Sequence, residues 1–291
     1  MEKDNYNSNL ANIVYREVEK QEKLKGKNIE IEVSLLENSR SKMEAQVKKQ
    51  KEENLEQELE SVINSELVKG RFNGNVILQK YDGKPCFFGR IRLVEDQKDE
   101  IIIKYNPKYE QENPGMTKEV IRDLIRHEIN HKGYPGLNGC PRTVENRLNL
   151  IIEPVAEILT KKVCYSNDIH HLANAFEDTI NNTQLSNKFS LDGMTKLFVD
   201  VGRHDDGFNP LDAAHVKLNM YLWGNKKQKK ELKKYFKHPD KVKEVLENFL
   251  ARTGIKNFNR DRRAIREFLG NEGNWPKIAK IYAEEFSKLL K

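Results

Sequence analysis

Cysteine is scarce in this sequence, and long apolar runs are absent from it. Cys86, Cys140 and Cys164 are odd in number and have no C-x-x-C spacing, so neither a disulfide framework nor a zinc ribbon is indicated. No stretch approaches the ~18 continuous apolar residues of a transmembrane helix, and the N-terminus has no apolar signal-peptide core. We therefore expect a soluble, cytoplasmic protein with no membrane partner.

A strong excess of charge of one sign is also missing. The chain has 51 basic and 45 acidic residues, which gives a net charge of +6. This excess is weak and spread along the chain, so it favours nucleic acid or anionic surfaces only slightly. Apolar residues make up 37% of the sequence and charged residues 33%. A core can therefore form, and the high charge predicts long solvated helices.

One short motif carries most of the chemical information in the chain. His127, Glu128 and His131 form the pattern H-E-x-x-H. On a helix, residues i and i+4 lie about 40° apart around the axis, so two imidazoles can reach the same ion. A glutamate in the second position can take a proton from a zinc-bound water as general base. The motif therefore predicts a zinc site with Glu128 as the catalytic residue.

The residues around the motif predict a helix that buries it. The apolar residues of this stretch cover one sector of a helical projection, and His127, Glu128 and His131 lie in or beside that sector. Thr117 is a good N-cap, and Gly133 ends the helix. Burying two histidines and a glutamate without a metal would leave costly unpaired groups. This cost favours a zinc site over a set of ordinary core histidines.

At H-E-I-N-H the sequence resembles the zincin metallopeptidases. The resemblance covers five residues and indicates a superfamily. It implies a zinc cofactor, a small sheet beside the active-site helix, and hydrolysis of a peptide bond in a peptide or protein substrate. In zincins the edge strand beside the cleft holds the substrate backbone by strand addition. The stretch Glu100–Tyr105 is the candidate for that strand, because it is the last one before the helix.

A catalytic zinc needs a third protein ligand and an open position. One candidate is Glu153, which lies among apolar residues in a predicted helix over residues 143–163. Glu157 follows four residues later, and this spacing is similar to the E-x-x-x-D of thermolysin-like enzymes, in which the second carboxylate orients a ligand histidine. Pro154 argues against Glu153, because it disturbs the helix beside the supposed ligand.

The other candidate ligand is Glu177, in a predicted helix over residues 168–182. Four polar residues share one face of that helix: Asn174, Glu177, Asp178 and Asn181. The pattern N-x-x-E-D after H-E-x-x-H resembles gluzincin-type metallopeptidases, some of which are linked to AAA+ ATPase and von Willebrand A-domain systems. The resemblance implies Glu177 as third ligand, Asp178 as a residue that orients a ligand histidine, and an ATPase as a possible protein partner. Glu177 is preferred, and Glu153 stays open.

The predicted fold is α+β and mostly helical, with three regions. Residues 1–69 form a charged, mainly helical extension, with a short helix inside residues 1–27. Residues 70–224 form a zincin-like core with a small antiparallel sheet beside the active-site helix. Residues 225–291 form a helical C-terminal region that begins with a lysine-rich run.

The strands are predicted from alternation and from β-branched residues. A short strand is expected over residues 28–33, followed by a long amphipathic helix over 34–69. Three further strands, over 75–80, 85–94 and 100–105, are separated by turn signals and directly precede the motif helix.

The sequence as a whole predicts a zinc metallopeptidase with His127, His131 and Glu177 as ligands and Glu128 as general base. Two alternatives stay open. One is a zinc-binding scaffold without turnover, against which the intact general base argues. The other is a nucleic-acid-associated protein that uses the lysine-rich residues 226–237. Cys140 is predicted to be a small buried loop residue, rather than a thiolate that blocks the open position of the metal.

Overall fold

The described residues are mostly helical and include one small sheet, as the sequence predicts. A computed structural model describes residues 29–82, 87–92, 99–113, 115–137, 143–162, 166–204, 207–236 and 239–290. The short helix predicted within residues 1–27 and all three cysteines lie outside these ranges. The chain divides into two compact units, Met1–Leu55 and Glu56–Lys291.

The first element is a single long helix. Helix α1 spans Ile29–Gly70, which confirms the helix predicted over 34–69. The strand predicted over 28–33 is wrong, because residues 29–33 are already helical. A helix pairs its backbone groups internally and needs no partner strand. The Glu-, Lys- and Gln-rich sequence that follows also favours the helix.

The sheet has three strands, β1 Asn75–Lys80, β2 Phe87–Arg92 and β3 Glu100–Tyr105. Their order is β1-β3-β2, with β3 parallel to β1 and antiparallel to β2. The predicted all-antiparallel sheet is therefore wrong. The prediction that β3 is the edge strand is also wrong, because β3 is the central one. Its residues 101–103 are all buried, as expected for a strand covered on both faces.

The motif lies on helix α3, which follows the short helix α2 and begins differently from the prediction. Helix α2 spans Lys108–Glu112 and α3 spans Met116–Asn130. The N-cap is Gly115, with a left-handed φ of 77°, and not Thr117. The Glu110 carboxylate accepts hydrogen bonds from the backbone N–H groups of Gly115 and Thr117. A side chain outside the helix therefore supplies the cap that was assigned to Thr117.

The helix predicted over 143–163 is interrupted in the middle. It consists of α4 Val144–Arg147, a π-helical turn over Leu148–Ile152 and α5 Glu153–Leu159. Pro154 lies in the first turn of α5. A backbone N–H at this position makes no hydrogen bond within the helix, so its absence in proline costs little. The π-turn thus lets the chain continue in one direction through a proline that would break a regular helix.

Seven further α-helices lie within the described ranges. They are α6 Ser166–Leu185, α7 Asp192–His204, α8 Pro210–Leu222, α9 Lys226–Leu232, α10 Pro239–Arg252, α11 Arg262–Leu269 and α12 Trp275–Phe286. The C-terminal helices pack on the predicted core. For example, the Tyr282 and Phe176 rings lie 5.3 Å apart, and Lys280 pairs with Glu157 at 2.5 Å. Within the described ranges, no helix is long and apolar enough to cross a membrane.

A buried ion pair fixes α1 to the motif helix, and a hydrogen bond from the α7 backbone fixes α7 to it. Arg126 Nε and Nη2 donate to the two carboxylate oxygens of Glu66 at 2.9 and 3.0 Å. Its guanidinium also lies 3.9 Å over the ring of Phe189, just before α7. Asp123, one turn before Arg126, accepts the backbone N–H of Gly193 at the start of α7 at 2.8 Å. These contacts hold the helix that carries the histidines from two sides.

We predict that Glu66→Gln lowers the free energy of unfolding by about 3 kcal/mol, because the Arg126 charge would stay buried without its bidentate partner. Urea denaturation followed by circular dichroism measures the change. The control is Glu58→Gln. The Glu58 side chain pairs with Lys118 and is 54% exposed, so loss of this pair should cost less than about 1 kcal/mol. Equal losses in both variants would contradict a structural role for the buried pair.

Candidate metal centre

The two motif histidines lie at the end of α3 with their rings converging. His127 is buried in the last turn, and His131 is the residue at which the helix ends. Their rings meet edge to face with centroids 4.9 Å apart, and the two Nε2 atoms are separated by 3.2 Å. The i, i+4 spacing therefore brings both imidazoles to one point, as the motif predicts.

A carboxylate from α6 meets the same point. Asp178 Oδ1 lies 3.2 Å from His127 Nε2 and 3.5 Å from His131 Nε2. A tetrahedral zinc with bonds of about 2.0–2.1 Å separates its ligand atoms by about 3.3–3.4 Å. The three donor atoms thus match one face of such a site. In the part of the chain that the structure describes, these three residues are the group of histidines and carboxylates that could hold a metal ion.

The other ring nitrogens are held by hydrogen-bond acceptors. His127 Nδ1 donates to Asn182 Oδ1 at 2.9 Å, and His131 Nδ1 donates to Glu177 Oε1 at 2.7 Å. A proton on each Nδ1 leaves the Nε2 lone pairs facing each other and facing Asp178. Such an arrangement is repulsive unless a proton or a cation lies between the atoms. In metal sites, such acceptors at the second ring nitrogen fix the tautomer and the ring orientation of the bound histidines.

Charge interactions reinforce this picture. Burial alone would lower the pKa of His127, but the neighbouring Asp178 carboxylate raises it above its ordinary value. Partial burial alone would raise the pKa of Asp178, but His127 and His131 hold it far below its usual range. Positive charge is therefore strongly favoured at the point where the three donor atoms meet.

Glu177 lies on the opposite side of the His131 ring from Asp178. Glu177 Oε1 accepts a hydrogen bond from His131 Nδ1, and Glu177 Oε2 accepts one from Arg147 Nε at 2.5 Å. Arg147 also donates to Asn174, so the polar face predicted on α6 joins α4 at this point. The structure thus places Asp178 beside the two Nε2 atoms and Glu177 beside His131 Nδ1. Glu177 as the third ligand stays a prediction that this geometry does not favour.

The other predicted ligand lies elsewhere. Glu153 is exposed at the start of α5 and does not belong to the group around the histidines. Glu157, four residues later, pairs with Lys280 and Lys161 instead of orienting a histidine. Glu153 and Glu157 therefore lie four residues apart on a solvated face of α5.

Glu128 is buried directly beside the sheet. A β-carbon at Gly89 of β2 would lie only 2.9 Å from Glu128 Oε1 and 3.3 Å from Leu124 Cδ2. A larger residue at this position would require the Glu128 carboxylate to shift. The strand beside the predicted general base is therefore β2, an edge strand of the described sheet, and not β3.

Buried asparagines connect the centre to the surrounding helices. Asn181 Nδ2 donates to the carbonyl oxygen of His127 at 2.8 Å and its Oδ1 accepts from Asn130 at 2.6 Å. Asn182 Nδ2 donates to Asn219 Oδ1 on α8 at 3.4 Å. Asn182 was missed from the sequence, although it lies one turn after Asp178 and so on the same face. No local pattern could have found Asn219.

We predict that Asn182→Leu lowers zinc affinity by about 10- to 100-fold, because the His127 ring loses the acceptor that orients it. Competition with a chromogenic chelator measures the affinity. Asn182→Asp keeps an acceptor oxygen in the same place and should retain most of it. Thermal melts of both variants separate this effect from unfolding, and wild-type affinity in a folded Asn182→Leu protein would show that Asn182 does not orient the ring.

In comparisons with protein-family models, curated proteins and solved structures, no match to this chain was found. The chemistry of the centre therefore has to be inferred from its own side chains.

Proposed function

We propose that the protein is a zinc-dependent metallopeptidase in which His127, His131 and Asp178 hold the ion. The observation that carries this proposal is the triangle of three donor atoms, with edges of 3.2, 3.2 and 3.5 Å, on the helix that bears the buried Glu128. The zincin resemblance of the motif agrees with it. Asp178 takes the ligand position that the sequence suggested for Glu177.

The ligand set favours a catalytic zinc over a structural one. Two imidazole nitrogens and one carboxylate oxygen are three protein ligands, and catalytic zinc sites use three and keep one position open. Structural sites are closed by four ligands, mostly cysteines. The side chain of Asp178 is 39% exposed, so solvent and a substrate can reach the centre from its side.

The chemistry follows from the groups around the ion. Zinc bound there supplies a Lewis acid that polarises a carbonyl group and lowers the pKa of a water molecule. Glu128 accepts the proton of the attacking water and passes it to the amine leaving group. Asn182 and Glu177 hold the histidine rings, so little reorganisation is needed during the reaction.

Strand β2 is the proposed binding site for the substrate backbone. It is an edge strand of the described sheet, so the backbone groups on its outer side can pair with an extended peptide. Gly89 brings this strand against the Glu128 carboxylate. A peptide paired with β2 therefore passes the general base.

A non-catalytic zinc scaffold would use the same three ligands. Such a scaffold needs neither a buried carboxylate in the second motif position nor a glycine that brings an edge strand against it. Both features favour the peptidase. Cytoplasmic location and an ATPase partner remain predictions of the sequence.

The ligand assignment is tested with an isosteric pair of variants. Asp178→Asn should lower zinc affinity by more than about 100-fold, because it removes a direct ligand. Glu177→Gln should lower it by about 10- to 100-fold, as expected for a residue that orients a ligand. Chelator competition gives both affinities, and circular dichroism shows whether each variant is folded. The reverse order would assign the ligand position to Glu177.

The role of Glu128 is tested with Glu128→Gln, which keeps the shape of the side chain but cannot accept a proton. This variant should bind zinc like the wild type and lose at least about 100-fold in the rate of peptide cleavage. Quenched-fluorescence peptide libraries measure the rate, and chelator-treated wild type with and without added zinc is the control. Equal rates would exclude Glu128 as general base. A zinc-loaded wild type that cleaves no peptide would favour the scaffold.

A further inference from the structure

Helix α9 presents a row of lysines on a fixed support. Its buried face consists of Gln228 and Leu232, and Gln228 Nε2 donates to Ser190 O at 3.0 Å and to Asp192 Oδ1 at 3.1 Å. An Asn225–Gln228 capping box fixes its N-terminus. The lysines on its outer side and in the turn after it are all exposed: Lys226, Lys227, Lys229, Lys230, Lys233 and Lys234.

These six lysines have no acidic partner among the described residues, whereas three lysines further along the chain are paired. Lys243 pairs with Glu247, Lys280 with Glu157 and Lys288 with Glu285. Like charges are also brought close to α9. Partial removal of the Lys229 amine from water, together with nearby Arg260 and Arg262, lowers its pKa. The positive potential of this region is therefore not neutralised within the described protein.

A groove continues the positive surface beyond α9. It is a cavity of about 660 Å³ between α8, α10 and the turn before α11, and four cations line it: Lys217, Lys243, Lys256 and Arg260. Two acidic residues also line it, and one of them, Glu247, is already paired with Lys243. The Lys217 amine lies 4.8 Å over the ring of Phe236, which follows the α9 region directly. The groove and the lysine row are thus adjacent.

The turn that carries Arg260 has an uncommon backbone conformation. Asn259 and Arg260 both have left-handed φ values, 48° and 65°. The conformation places the Arg260 guanidinium 5.7 Å over the ring of Tyr221, and Asp261 follows as the N-cap of α11. Residues other than glycine are strained in the left-handed conformation, and positions of this kind are concentrated at ligand sites.

We propose that the six lysines of the α9 region, with Lys217, Lys256, Arg260 and Arg262, form a basic surface that binds the phosphate backbone of nucleic acid. Closely spaced, unpaired cations on a rigid support are suited to the regular negative charges of that backbone. A membrane surface fits less well, since peripheral helices also insert large apolar side chains. No large apolar residue of α9 is exposed.

The basic surface is separate from the metal centre but shares a helix with it. On α8, His215 and Asn219 contact Thr179 of α6, whereas Lys217 and Tyr221 line the groove. The peptidase proposal and the nucleic-acid proposal therefore rest on different side chains. Either can fail without the other.

The test is fluorescence anisotropy of the full-length protein with labelled single-stranded and duplex DNA of about 20 nucleotides, from about 50 to 300 mM salt. The variant is Lys227→Gln/Lys230→Gln/Lys234→Gln. The matched control, Lys42→Gln/Lys48→Gln/Lys51→Gln, removes the same charge from exposed positions on α1. The first variant should bind at least about tenfold more weakly, and its slope of log K against log salt should be shallower by about 2. The control should change by less than about twofold.

Three results would overturn the proposal. If the wild type does not bind DNA, the proposal is wrong. Equal weakening in the two triple variants would mean that only net charge attracts DNA. Binding to phosphatidylserine vesicles that depends on the α9 lysines and is stronger than binding to DNA would assign the surface to a membrane instead. Zinc content, measured in every variant, should not change.

Discussion

The Nε2 atoms of His127 and His131 lie 3.2 Å apart and face a charged carboxylate. Two imidazole lone pairs at this distance repel each other unless a positive charge lies between them, and little water surrounds the buried His127 ring to screen that repulsion. The contact between α3 and α6 is built around this point. A bound cation removes the repulsion and connects the two helices, so the metal would contribute to folding as well as to chemistry.

The surrounding fold can be understood as support for that contact. Asn182 and Glu177 each accept from one ring nitrogen, and Asn181 holds the backbone of the motif helix. Further out, the Arg126–Glu66 pair and the close approach of Gly89 position α3 against α1 and the sheet. Buried polar groups cost free energy when they are unpaired. Most of those near the centre are paired within the same network.

Much of the centre could be predicted from the sequence, because it depends on local spacing. The i, i+4 pair on α3 and the polar face of α6 both follow from helical periodicity, and they meet as expected. Periodicity could not decide whether Glu177 or Asp178 turns toward the Nε2 atoms, since neighbouring residues differ by only about 100° around the axis. That choice depends on Arg147, which is far away in sequence and holds Glu177 on the other side.

The strand order could not be predicted from local sequence patterns either, because it depends on contacts between segments that are distant in sequence. Three apolar strands in succession are compatible with several pairings. The observed pairing of β3 with both β1 and β2 makes it central, and the burial of residues 101–103 agrees with that position. Two smaller errors concern single segments. The Glu110 side chain caps α3 in place of Thr117, and residues 29–33 belong to the long helix α1 instead of a strand.

Zinc-edge anomalous diffraction from crystals of the zinc-loaded protein shows directly whether His127, His131 and Asp178 hold the ion. We expect one strong peak at the end of α3, about 2.0–2.2 Å from His127 Nε2, His131 Nε2 and an oxygen of Asp178, with Glu177 remaining at His131 Nδ1. A peak coordinated by Glu177 with Asp178 turned away, or no peak beside the two histidines, would contradict the account.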